Sequence, residues 1–68
     1  MDQQVIFEFN GYGQPVSAQD IMATVNAFLV QGHEAISGSM ETVVYKDPES
    51  STKIFATKYA LLYSPKAD

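Results

Sequence analysis

The sequence predicts a small α+β domain with the order β-α-β-β, in which one helix packs on a three-stranded, mostly antiparallel sheet with the third strand central. Three observations predict this fold. Of three apolar segments the first alternates at period two and the last is apolar on both faces, one amphipathic segment carries helix-capping residues, and a polar turn with a proline joins the last two apolar segments. The chain has 68 residues, 46% of them hydrophobic, so we expect one domain over residues 1–68, with a frayed polar tail at 64–68.

The first predicted strand runs from Gln4 to Phe9. Its odd-numbered residues are apolar and alternate with a mostly polar set, which is the pattern of a half-buried strand. The following segment, 10–15 (NGYGQP), combines an Asn-Gly pair, a second glycine and a proline. These residues favour turns, so we expect a loop there.

The predicted helix runs from Ala18 to Gln31. Ser17 is a suitable N-cap, and Asp20 in the first turn suits the positive end of the helix dipole. Gly32 is suited to the left-handed conformation that often follows a helix. The apolar stripe recurs at helical spacing and comprises Ile21, Val25, Phe28 and Leu29.

The last two strands are predicted at Ile36–Lys46 and Lys53–Tyr63, joined by the polar turn at 47–51. Gly38 weakens the first of them and suggests a β-bulge. The last strand carries bulky apolar residues on both of its faces. One helix can cover only one side of a sheet, so we expect a second copy of the chain to cover the other.

The alanines of the last strand favour close approach of the helix, and this sets the predicted faces. The helix side is expected to comprise Ile54, Ala56, Ala60 and Leu62 with Val5, Phe7, Phe9, Met40 and Val44. The opposite side is the predicted interaction surface, comprising Val43, Tyr45, Phe55, Tyr59 and Tyr63 among Glu41, Lys53 and Thr57. Lys58 falls on the predicted helix side. Either its side chain reaches past the end of the helix, or the two faces are inverted.

Composition limits the classes of partner. A domain of this size is marginally stable alone, and without cysteine it has no disulfide to support it, which favours self-association. The net charge is −4 and all four basic residues are lysines. Phosphate recognition needs positive charge and favours arginine, so we expect no nucleic-acid partner and no adsorption to an anionic membrane. No segment has the length of a membrane span and the N-terminus lacks a basic leader, so we expect a cytoplasmic location.

Two features suggest chemistry without establishing it. His33, the only histidine, suits a general acid–base residue or one metal ligand, but a polar role beside the helix C-terminus is favoured because no cysteine or second histidine accompanies it. A His33 site that is shared between copies of an oligomer remains an alternative. Gly11-Tyr12-Gly13 resembles the start of a phosphate-binding G-x-G-x-x-G, but Val16 replaces the third glycine and Pro15 lacks an N–H, so a plain turn is favoured. We predict no catalytic residue, cofactor or metal.

The β-α-β-β order and short length are similar in layout to dodecins, small flavin-storing proteins that assemble into hollow shells. The chain has no tryptophan, the residue on which that family stacks its flavin, so no binding residue is carried over. We expect a small non-catalytic protein that acts through self-association and binding to other proteins, suited to an accessory or phage-encoded binding or inhibitor factor. The alternatives are an oligomeric carrier with an aromatic pocket between subunits and an enzyme with a shared site near His33.

Overall fold

The computed structural model describes residues 1–66 of the chain. Its elements are β1 (Gln3–Tyr12), α1 (Ala18–Leu29), β2 (His33–Lys46) and β3 (Lys53–Pro65). The strand order is β1-β3-β2, and β3 pairs antiparallel with both neighbours. The predicted fold, with the third strand central, is therefore confirmed.

The ends of α1 follow from local chemistry. The Ser17 Oγ accepts a hydrogen bond from the Asp20 backbone N–H at 3.1 Å, which satisfies one of the free donors of the first turn, as predicted. The helix ends at Leu29, two residues earlier than expected, with Val30 as its C-cap. Gly32 has φ of 104°, the left-handed conformation for which glycine was expected there. No helix of the described residues is long and apolar enough to cross a membrane.

All three strands extend beyond their predicted bounds. β1 continues through the predicted breaker to Tyr12, because a glycine at position 11 leaves room for the backbone of Gln14 and Val16 to lie against the strand. β2 starts at His33, three residues early, and its register shift lies between Ala35 and Ser37 instead of at Gly38.

The predicted frayed tail starts too early. Ser64 and Pro65 belong to β3, where they pair with the start of β2. The Lys66 backbone N–H donates to the Gly32 carbonyl at 2.8 Å, which ties this end of the chain to the helix terminus. Residues 67 and 68 of the predicted tail lie outside the described residues.

The prediction for the faces of β3 is wrong. Leu61 and Tyr63 are buried against Val25 of the helix, and the predicted alanine face lies on the opposite side. The cause is the register. Val5 pairs with Leu61, and directly paired residues of antiparallel strands share a face. The side of β1 that was predicted to face the helix is correct. Odd-numbered residues of β1 pair with odd-numbered residues of β3, so these β3 residues also face the helix: Phe55, Thr57, Tyr59, Leu61 and Tyr63.

The molecule is elongated, with extents of 50 × 18 × 15 Å and a radius of gyration of 14.4 Å, whereas a compact chain of this length has about 11 Å. A helix of 12 residues is about 18 Å long, while a strand of 14 residues reaches about 46 Å. The helix therefore covers less than half the length of the hairpin formed by β2 and β3.

Candidate interaction surface

The structure divides the five residues of the predicted interaction surface between the two sides of the sheet. Val43 and Tyr45 lie on the side away from α1, here called the open face, and both are exposed. Phe55, Tyr59 and Tyr63 lie on the helix side. The predicted aromatic surface therefore does not exist as one patch, and Tyr59 and Tyr63 serve the interior instead.

Two tyrosines illustrate that internal role. Tyr63 is 9% exposed, and its hydroxyl donates to the Gln3 Oε1 at 2.9 Å. Its ring meets the Phe28 ring edge-on at a centroid distance of 4.8 Å. Tyr59 packs at the margin of the same core and extends over Gly38 of β2. Substitution of either residue would therefore disturb folding before it reported on an interface.

Exposed apolar side chains are more numerous on β2 than on β1 or β3, and they lie on both of its faces. Val43 and Tyr45 on the open face are 59% and 49% exposed. Met40 and Val44 on the helix side are 57% and 50% exposed. Every residue from Glu34 to Lys46 is exposed, although all of them belong to one long strand. Sequence analysis placed the two valines on opposite faces, as the structure does, but did not foresee that the helix leaves Val44 half exposed.

A row of charges crosses the middle of the open face. The Lys58 Nζ lies 3.7 Å from the Glu8 Oε1, and both side chains are more than half exposed. Glu41 pairs with Lys58 from the other side, so one lysine stands between two carboxylates in the register of the sheet. Lys58 therefore does not reach past the end of the helix. The structure shows the other alternative, in which the two faces of β3 are inverted relative to the prediction.

Apolar residues flank the charge row at both ends of the open face. Toward the hairpin turn, Ile54 is buried between its cross-strand neighbours Tyr12 and Tyr45. Toward the other end, Ile6 is 54% exposed beside Ala60. Ile6 and Tyr12 were missing from the predicted surface. Continued period-two alternation through the Asn-Gly segment would have placed Tyr12 on the face of Ile6.

The small side chains of the open face leave shallow depressions. One has a volume of about 350 Å³ and is lined by Glu41 and Lys58 of the charge row together with Ile6, Ser39, Met40 and Ala60. Another of about 280 Å³ continues along the same strands beside Leu62. Neither is lined by an aromatic side chain.

His33 is held by the end of the helix. Its ring stacks on Phe28 with centroids 4.2 Å apart and an interplanar angle of 7°, and it meets the Tyr63 ring edge-on at 5.0 Å. Its Nδ1 lies 2.9 Å from the carbonyl oxygen of Phe28 in the last turn of the helix, which also accepts from the Gln31 backbone N–H at 3.2 Å. Among residues 1–66, no three His, Asp or Glu side chains are grouped to hold a metal ion. These contacts account for the histidine as a helix-terminal packing residue.

The Gly11–Gly13 segment is likewise occupied by internal contacts. The Gly13 N–H, which a phosphate-binding loop would direct at its ligand, donates to the Lys53 carbonyl at 2.7 Å. Gly13 has φ of 81°, which favours glycine at this turn. The two glycines therefore have structural roles, one in close packing and one in backbone conformation.

Comparisons with other proteins add no further constraint. No protein-family model matches the chain, and no curated protein and no solved structure matches it. The assignment of the interaction surface therefore depends on the exposure and register of its own residues.

Proposed function

We propose that this chain is a small non-catalytic protein that acts by associating with itself and, as an assembly, with other proteins. The observation that carries the proposal is an excess of exposed surface. A folded monomer of 7.5 kDa has about 4,250 Å² of accessible surface, whereas this chain exposes 4,933 Å². The excess of about 700 Å² is close to the roughly 800 Å² that each partner buries in a standard protein interface.

The location of the apolar surface supports the same proposal. The core beneath the helix lies on the helix side, whereas on the open face Ile54 is buried but Ile6, Val43 and Tyr45 are exposed. Contiguous exposed apolar patches are typical of interfaces. A chain of 68 residues that contains no cysteine gains stability most readily from a partner, and a second copy is always present at equal concentration.

Sizing over a dilution series tests the proposal. Multi-angle light scattering from about micromolar to millimolar concentration should give a mass above that of one chain, decreasing on dilution as mass action requires. Mass spectrometry of the purified material identifies any protein that remains bound. A monomer mass at every concentration, with native circular dichroism and no bound protein, would contradict the proposal. A stoichiometric small molecule in the spectrum would instead support the carrier.

A further inference from the structure

We propose that β2 is the seam of self-association: its free edge pairs antiparallel with β2 of a second copy, so that two three-stranded sheets join into one of six strands. The inference deepens the proposed function and rests on it, because it names the surface by which the copies meet. It is carried by the exposure on the two sides of β2, by the character of its edge and by the charges of the open face.

Exposure on both sides is the first argument. Val43 and Val44 are neighbours in sequence, lie on opposite faces of the sheet and are 59% and 50% exposed. A partner packed on the open face would cover Val43 and leave Val44 exposed. A neighbouring strand at the edge contacts side chains on both faces at once, because each residue meets a cross-strand partner on its own face. Edge pairing alone covers both valines with one partner.

The edge itself is suited to strand addition. β2 is a terminal strand of the sheet, so its outer backbone N–H and C=O groups pair with no strand of the described chain. From Ser37 to Lys46 its register is regular, it contains no proline, and its Thr-Val-Val-Tyr segment has high strand propensity. The other terminal strand, β1, is four residues shorter, and its odd-numbered apolar residues are half-buried under the helix side.

The charge row argues against stacking of two open faces. Glu8, Lys58 and Glu41 cross the centre of that face with a net charge of −1. Stacking of two such faces would remove six charged groups from water, and the desolvation cost of buried ions often exceeds their mutual attraction. In edge pairing, all three side chains keep access to solvent on the open face.

A twofold axis near Thr42 gives the most favourable register. It places Met40 of one copy opposite Val44 of the other on the helix side, an apolar pair that occurs twice. On the open face it places Glu41 opposite Val43, so the two copies of Glu41 do not face each other. An axis at Glu41 would bring the two carboxylates directly together, which is unfavourable in a cross-strand pair.

Three glutamate substitutions at exposed apolar residues distinguish the possible interfaces. Val43→Glu changes the open face of β2, Val44→Glu changes its helix side, and Ile6→Glu changes the open face of β1, at 59%, 50% and 54% exposure. Edge pairing predicts that both β2 variants raise the dimer dissociation constant roughly tenfold or more. Each substitution is present in both copies, so it adds two charges beside the seam. Ile6→Glu should leave the dissociation constant unchanged. Sedimentation velocity over a dilution series measures it, and far-UV circular dichroism confirms that each variant is folded.

The other outcomes are equally informative. Loss of the dimer in Val43→Glu and Ile6→Glu, with Val44→Glu still dimeric, would overturn the seam in favour of open-face packing and leave self-association standing. A monomeric wild-type protein would overturn both. If a β2 variant fails to fold, hydrogen exchange of the wild type decides: alternate amides of residues 38–46 should gain protection at high concentration. Equal protection at low and high concentration, with the dimer present, would overturn the seam.

Discussion

The ring of Tyr59 lies over the backbone of Gly38 on the neighbouring strand, so closely that a Cβ at position 38 would overlap the phenol. Glycine inside a strand marks either a bulge or the close approach of another group, and here it is the second. The contact joins β3 to the edge strand on the helix side. Gly11 has a related role on β1, where the backbone of Gln14 and Val16 occupies the space of a Cβ.

The two glycines predict different costs for the same substitution. At Gly38 the obstacle is the end of a side chain that can rotate away, so Gly38→Ala should lower the free energy of unfolding by about 1 kcal/mol. At Gly11 the obstacle is backbone that cannot move alone, so Gly11→Ala should cost about 3 kcal/mol. Urea unfolding of both variants beside the wild type measures the difference. Equal costs would contradict the distinction between side-chain and backbone obstacles.

The residues that define elements locally were read correctly from sequence. Ser17, Gly32 and the 47–51 turn act through neighbours within a few positions, so their roles follow from residue type and spacing. Which face of β3 lies against the helix depends instead on its register with β1, and that register cannot be read from residue types. One signal was available: Lys58 conflicted with the assumed face, and its pairing with Glu8 shows the inverted arrangement.

Adjacent leucines of β3 test that face assignment directly. Leu61 is 2% exposed in the core, whereas Leu62 lies on the open face and is only partly buried. Leu61→Ala should lower the free energy of unfolding by about 3 kcal/mol, because it leaves a cavity in the core. Leu62→Ala, matched in chemistry, should cost about 1 kcal/mol. Chemical denaturation of the monomer at high dilution measures both, and a larger loss for Leu62→Ala would contradict the assignment.

His33 offers a separable pair of contacts. His33→Phe retains an aromatic ring to stack on Phe28 but removes the hydrogen bond to its carbonyl, which should cost about 1 kcal/mol. His33→Ala removes both and should cost about 2 kcal/mol. Thermal and urea unfolding compare the two with the wild type. No loss in either variant would show that the packing role assigned to His33 is wrong and would reopen the question of chemistry at this residue.

The candidate surface was harder to predict than the fold for a physical reason. Tyrosine suits a wet interface and a core margin equally well, because its ring is apolar and its hydroxyl needs one partner. Gln3 supplies that partner to Tyr63, so a residue expected at the surface is buried instead. The exposure of Val44 follows from the short length of α1 relative to β2, a relation between two elements that appears only when both are placed.

Stability should depend on protein concentration if the copies associate as proposed. For a dimer that unfolds to two chains, with about 95 kcal/mol of unfolding enthalpy from its 136 residues, each tenfold increase in concentration should raise the melting temperature by about 5 °C. Added salt should raise the melting temperature at each concentration, because each copy carries a net charge of −4 and screening weakens their repulsion. Scanning calorimetry at three concentrations and two ionic strengths measures both trends, with folded Val44→Glu as the control that should melt at a lower temperature at each concentration because its dimer is weaker. A melting temperature independent of concentration in the wild type would mean that the exposed strand has no second copy beside it.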